Sequence, residues 1–531
     1  MAESASQPTV AIVGGGLAGL AAACALSDSA FRVTLFERRP YLGGRASSYE
    51  HPGTGEVVDN CQHVLFGSCT NLIAFYRTIG ILEKIRWFDC MTFIEPGGRQ
   101  SLLEPTFLPA PLHVAPSFLR FKFLNARDKA MLSGALATLM FSTPEDDGRS
   151  FEHWLIQYRQ TPAAIEHFWR PILVSALSED LDLISIPYAA QVVRESMKAP
   201  IARKMGIPTV PLTHLYDAAS AYIAARAGEV RLRSGVLSIP PLDSGFRVKT
   251  QDKEEYFDYG VLAVPFDAAG KLISDLPDRE ALTDKISHFA TSPITGVHLW
   301  FDREISDLPH AILLDRTIQW MFHKSQLLSS LSSRAEQDRS LANDPVQSRD
   351  LPFTSAFRGP AETNASKTFP SAVSAPEGRH SLAQDVSPGT GANMTESRRD
   401  GTASYVELVI SSSKSLINKS RQEIIDLALN ELREFFPKAR EANLVKATVI
   451  KEVNATFSPA PGIDGYRPPN VTPWPRLFLA GDWTATGWPA TMEGAVRSGF
   501  LAAEALTKYA GTPKSFLIPD LPAAGLMRLI G

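Results

Sequence analysis

The sequence predicts an α/β fold organised around a Rossmann-like dinucleotide-binding domain, and three observations carry that expectation. An apolar strand, Val10 to Val13, runs directly into Gly14, Gly16 and Gly19. An Ala- and Leu-rich helix follows at once. A second apolar strand, FRVTLFE, ends on Glu37, 23 residues after Gly14. In such a unit Gly14 permits the tight turn, Gly16 lets a pyrophosphate approach the backbone, and Gly19 lets the helix pack close to the strand. The helix N-terminus offers free N–H groups and a positive dipole end to the anion. Glu37 stands where a carboxylate accepts ribose hydroxyls. The apolar run AIVGGGLAGLAAACAL is not read as a signal peptide, because no Lys or Arg precedes it and its glycines are spaced for a phosphate turn.

Composition sets bounds on the rest. The 531 residues are 44% hydrophobic and 21% charged, which is the balance of a globular enzyme. The net charge of -4 gives no basic field, so nucleic acid is not an expected partner. The four cysteines (Cys24, Cys61, Cys69, Cys90) form no C-x-x-C pair, so no metal site is expected and the cytoplasm is the expected compartment. No run of about 20 apolar residues reads as a spanning helix.

The remaining elements follow in order. A helix is expected over Asn71 to Ile79. Residues 101–220 read as mainly helical, with apolar spacing in 128–141 and 165–177. Short strands return over 228–266. Two strands are expected in ITGVHLWF (294–301) and AILLDRTIQWMFHK (311–324). Residues 325–403 have no Trp or Tyr and are rich in Ser, Ala, Asp, Arg and Pro, so a disordered insertion is expected there. A strand (404–413), a helix (Gln422 to Phe436) and an amphipathic tail (511–531) complete the chain. There is no internal repeat.

Two further motifs narrow the cofactor. After Glu37 the chain reads RRPYLGGRASSYE, with Gly43, Gly44 and Arg45. Near the other end stands LFLAGDWTATGWPATMEGAVRSGFLAAEAL (477–506). Both resemble motifs of the amine oxidase and phytoene desaturase superfamily of flavoproteins. The resemblance implies FAD as cofactor and a GR2-type, discontinuous FAD-binding domain (1–100, 221–290 and 440–510). It also implies an α+β substrate domain built from insertions (101–220 and 291–439). The cofactor-binding residues it implies are Gly14, Gly16, Gly19, Glu37, Arg38, Gly43, Gly44, Arg45, Val236, Gly481, Asp482 and Met492. Arg45 would neutralise phosphate charge. Asp482 would bond a ribityl or phosphate-side group, Val236 would meet the adenine through its backbone, and the helix beginning near Met492 would face the flavin N1–C2=O edge.

Within that superfamily, VVDNCQHVLFGSCTNLIAFYRTIG (57–80) resembles the hydroxysqualene dehydroxylase family of bacterial squalene and hopanoid biosynthesis, through Asp59, Asn60, Gln62, His63, Gly67, Asn71 and Tyr76. The substrate this implies is a long isoprenoid lipid, and the reaction is reductive removal of a hydroxyl. His63 is the implied proton donor, with Asp59 orienting it. Neighbouring enzymes of the squalene pathway are the implied protein partners. Carotenoid and phytoene desaturases, which share the closing motif and run the flavin in the oxidising direction, are the alternative. Amine oxidation is disfavoured: Trp488 matches one wall of the aromatic cage of amine oxidases, but Thr491 stands where the second aromatic would be. Residues 101–124 mix Phe, Leu and Pro with Arg120 and Lys122, and with the apolar tail they suggest peripheral contact with the inner face of a membrane.

Overall fold

In a computed structural model, residues 7–142, 144–242, 244–328 and 402–529 are described. The expected disordered insertion therefore falls, over 329–401, outside the described residues. Strand Thr9–Val13 pairs in parallel with Arg32–Phe36 on one side and Tyr259–Leu262 on the other. Strands Glu229–Arg231 and Leu477–Leu479 complete a five-stranded parallel sheet. Both faces of such a sheet are covered, which is why its strands are continuous apolar runs. Helix Leu17–Ser27 is buried at every residue. It packs against helix Met492–Tyr509 at Gly499, where an added Cβ would overlap the Ala18 carbonyl oxygen and lie 2.9 Å from the Ala22 nitrogen. Helices from the first and last motifs of the chain meet there.

The second large sheet has seven strands, mostly antiparallel, in the order Leu444–Phe457, Thr291–Phe301, Ser404–Ser411, Trp320–Phe322, His310–Leu313, Met91–Ile94 and Gln100–Leu103. Helix Arg421–Phe435 covers one face with Ile424, Ala428, Leu432 and Phe435. Its start is fixed by a capping box between Ser420 and Glu423.

Several expectations change. The stretch 311–324 is not one strand. It turns back at Asp315, which adopts φ +62°, into a hairpin of His310–Leu313 with Trp320–Phe322, and then enters the short helix Lys324–Leu327. Asp is one of the few side chains that tolerates the left-handed conformation, and that decides the turn. Residues 165–177 begin with a widened turn, Ile165–Trp169, before helix Arg170–Leu177. Pro171 has no N–H for the regular ladder. Two segments expected in the nucleotide-binding domain, 91–100 and 444–457, hydrogen-bond instead into the antiparallel sheet. In the tail, Gly525–Leu529 forms a single 3-10 turn and Phe516 and Leu517 pack on the core around the first helix. No described helix is long and apolar enough to cross a membrane.

Candidate active site

The glycine loop is built as its spacing requires. Gly14 adopts φ +113° and donates its N–H to Phe36 O at 2.8 Å. Added Cβ atoms would overlap the Ala263 carbonyl oxygen at Gly14 and the Gly14 carbonyl oxygen at Gly19. Gly16 is different, since the nearest atom to its added Cβ is Gly44 Cα at 3.9 Å. Gly16 is also the N-cap of helix Leu17–Ser27, with no side-chain cap and no acidic residue in the first turn. The first N–H groups therefore face open space beside a backbone without side chains, which is the form of a phosphate cradle. Glu37 is buried, and its carboxylate accepts from Gly15 N at 2.7 Å and Arg39 N at 2.8 Å.

The Gly43–Gly44–Arg45 loop docks on this cradle. Gly43 and Gly44 adopt φ +102° and +62°. Gly43 N donates to Gly15 O at 2.9 Å, and Gly43 bridges Gly16. Arg38 is exposed; it is Arg39 whose guanidinium donates to Gly44 O at 2.9 Å and holds the loop. Arg45 donates to Ala455 O at 3.0 Å and forms an ion pair with Asp482. The first and last motifs of the chain are thus joined by a charge pair. Asn60 ties in as well, donating to Arg45 O and accepting from Ser47 N.

In the closing motif, Gly481 adopts φ +142° and donates to Ser498 Oγ at 2.8 Å. Thr491 caps helix Met492–Tyr509 by accepting from Gly494 N at 3.0 Å, a role that an aromatic at this position would not fill. Glu493 is fully buried and caps a different helix, Thr70–Thr78, accepting from Asn71 N at 3.1 Å and Leu72 N at 2.8 Å. Burial pushes its pKa up. Val236 is half-buried, outside any strand, against Phe36 and Val248; Ser234 N nearby donates to Glu37 O at 2.8 Å.

An apolar cavity of about 780 Å³ lies beside these loops, with Met492, Trp488, Gln62, Phe168, Trp320 and Leu526 among its walls. Leu112, Phe141, Leu526 and Leu529 line it and are also exposed, so they mark its open side.

The structure does not support the roles expected of His63 and Asp59. Gln62 and Val64 line the cavity, but His63 is not among the lining residues described. Its Nδ1 lies 2.8 Å from Cys61 O, and burial lowers its pKa, so less of it holds a proton to donate near neutrality. Asp59 does not orient it. The Asp59 carboxylate accepts from Ser48 Oγ at 2.6 Å, Leu212 N at 3.2 Å and Lys324 Nζ at 2.6 Å. Burial alone would raise its pKa, but the Lys324 ammonium and these bonds hold it below the usual range.

Lys324 itself was not singled out by sequence reasoning. It is 2% exposed, lies 3.3 Å from the Glu407 carboxylate, and donates to Gln62 Oε1 at 2.8 Å. Burial pushes Glu407 up to about 7 despite that lysine. One signal was present: Glu407 is a lone charge inside the apolar strand SYVELVIS.

The flavin-containing amine oxidoreductase family profile matches residues 17–507. Zeta-carotene desaturase of Synechocystis sp. is 26% identical over 520 residues, covering 94% of this chain and 96% of its own. The 15-cis-phytoene desaturase of Synechococcus elongatus is 25% identical over 523 residues, covering 94% and 95%. The crystal structure of an oxidoreductase from Methanosarcina mazei superposes with a TM-score of 0.64 at 16% identity, covering 94% of this chain and all of that one. With the Gly16 cradle, the buried Glu37 and the paired Arg45 and Asp482 in place, the chain belongs to the flavin-containing amine oxidoreductase family, and FAD is its cofactor.

Proposed function

We propose that this flavoprotein oxidises or reduces a long isoprenoid lipid held in the apolar cavity beside the FAD loops, with desaturation as the leading reading. The single observation that carries the substrate class is the cavity of about 780 Å³, which is mostly apolar and has Met492, the first residue of the closing-motif helix, in its wall. FAD held by these loops would supply hydride-transfer chemistry to a substrate carbon in the cavity. The cradle and the Arg39-braced loop hold the dinucleotide, and the cavity walls exclude water from the reacting carbon. Full-length similarity to two carotenoid desaturases supports the oxidising direction. Removal of the hydroxyl of hydroxysqualene to give squalene is the second reading, favoured by the polar amide of Gln62 in that wall.

An anaerobic experiment separates them. Oxidised enzyme mixed with phytoene or zeta-carotene should lose its flavin absorbance and yield a more conjugated polyene. Reduced enzyme mixed with hydroxysqualene should regain the oxidised flavin band and yield stoichiometric squalene under the second reading. Failure of both responses would remove the isoprenoid assignment.

The exposed Phe107, Leu112, Leu119 and Leu529, with Arg120 and Lys122 beside them, support peripheral docking on a membrane from which such a lipid enters. Cytoplasmic residence and association with neighbouring squalene-pathway enzymes belong to the second reading.

A further inference from the structure

Three segments frame the open side of the apolar cavity. Leu112 belongs to the turn Leu112–Val114, in which His113 is fully buried and its carbonyl oxygen accepts from Thr106 N at 2.7 Å and Thr106 Oγ1 at 2.9 Å. Phe141 is the last residue of helix Ala126–Phe141, which starts on a capping box between Asn125 and Asp128. Leu526 and Leu529 belong to the turn Gly525–Leu529. The first two segments are parts of braced elements. The third is held differently.

The chain leading to that turn is tied down at several points. Glu504 accepts from Phe516 N at 2.7 Å and Leu517 N at 2.8 Å. Asp520 accepts from Arg497 Nη1 at 2.7 Å and from Nε1 of the cavity-wall Trp488 at 3.3 Å. Leu521 and Ala524 pack with Ala199 and Ala202, and Ala524 N donates to Lys198 O at 2.9 Å. Past Ala524 the ties thin out. Among the described residues one hydrogen bond reaches from the turn to another element, from Leu526 N to Ala110 O at 2.8 Å, and one side chain of the turn, Met527, is buried. Leu526 is 43% and Leu529 84% exposed, so an outward swing loses little apolar contact. Segments with few buried contacts are the ones that open locally at least cost.

The seat of the turn depends on Gly525. Its φ is +58°, and an added Cβ would lie 2.6 Å from Ala110 N and 2.9 Å from Pro109 Cβ. The turn therefore closes on this loop because residue 525 has no side chain. The same loop runs on into Pro111 and Leu112 of the cavity wall. A seated turn completes the mouth, and a displaced one widens it.

We propose that Gly525–Leu529 is a flap on the cavity mouth: seated on Ala110 it retains the ligand, and its opening is the step by which ligand enters and leaves. The inference rests on the reading of the cavity as an isoprenoid site. It adds control of ligand exchange, and it holds for a hydrocarbon and for its alcohol alike.

The test uses the FAD-loaded protein and squalene, a C30 isoprenoid hydrocarbon, with fluorescence of Trp169, Trp320 and Trp488 in the cavity wall reporting its entry and release. Methyl-β-cyclodextrin delivers the squalene and takes it up again, so no membrane takes part. The variants are a chain ending at Ala524 and Gly525→Val, which unseats the turn. Both should quicken association and release by about tenfold, the scale of one backbone hydrogen bond, while the dissociation constant moves far less. A flap sets the barrier in both directions, whereas the loss of a plain piece of wall quickens release alone. Flavin content and melting temperature should match wild type. Should one variant fail to fold, the other decides alone. Exchange at the wild-type rate, or faster release with unchanged association, would overturn the flap and leave the isoprenoid reading standing. No binding of squalene by the FAD-loaded wild type would bring down both.

Discussion

Gly16 and Gly19 sit three residues apart in one loop yet answer to different constraints. At Gly19 the constraint is the protein itself, because any side chain overlaps the Gly14 carbonyl. At Gly16 it is the ligand, because the protein leaves the space beside it open. Gly19→Ala should therefore lower the melting temperature of the apoprotein, whereas Gly16→Ala should leave the apoprotein melting temperature unchanged and abolish FAD retention on purification. Glu37→Ala should also lose FAD, since it removes charge-assisted bonds worth about 1.5–3 kcal/mol; the ratio of flavin to protein absorbance measures it. Glu407 supplies a pH prediction. Its folded pKa of about 7 stands above its ordinary 4.5, so the folded state holds the proton more tightly than the unfolded chain. The stability tied to this group is fully present below about 4.5, falls as pH rises towards 7, and is flat beyond. Glu407→Gln should flatten the stability profile between pH 5 and 7 by on the order of 2 kcal/mol, measured by denaturant unfolding.

At the scale of elements, capping residues join distant parts of the chain. Glu493 opens one helix and caps another 421 residues away in sequence, through Leu72. Asn71 completes the connection, donating to Ile518 O at 3.0 Å and accepting from Ile518 N at 2.8 Å, so it pins the tail. Asp520 adds an ion pair with Arg497 at 2.7 Å. Asn71→Ala should remove one of three bonds to Glu493, that from Asn71 Nδ2 at 2.9 Å, and free the tail, costing about 1–3 kcal/mol and making the last 20 residues the first site of limited proteolysis. The helices at 70–78 and 421–435, and the start of the helix at 492–509, were legible in the sequence to within a residue or so, because periodicity and caps are local signals. The hairpin at 310–322 was not, although Asp315, Arg316, Thr317 and Gln319 interrupt the apolar run between its two short strands and Asp315 adopts the left-handed conformation there.

At the scale of the molecule, the cavity opens among Leu112, Phe141, Leu526 and Leu529, and further exposed apolar side chains stand at Phe107 and Leu119. Phe107 is 97% and Leu529 84% exposed, an arrangement that favours burial in a bilayer interface. The protein should float with liposomes containing anionic lipid, and Phe107→Asp with Leu529→Asp should reduce the bound fraction at least fivefold at unchanged melting temperature.

The sequence by itself determined the cofactor loop. Strand, glycines, helix and Glu37 lie within 29 residues, and the geometry of each glycine follows from short-range backbone sterics. It also displayed the closing motif, although not that Asp482 would meet Arg45 across 437 residues. Tertiary structure alone decided which residues line the cavity and which ion pairs form behind it. Asp59 and His63 are close in sequence and were read as partners, but Lys324 reaches Asp59 from 265 residues away. A buried carboxylate pairs with whichever cation the fold brings within contact, because an uncompensated charge there is costlier than any local preference.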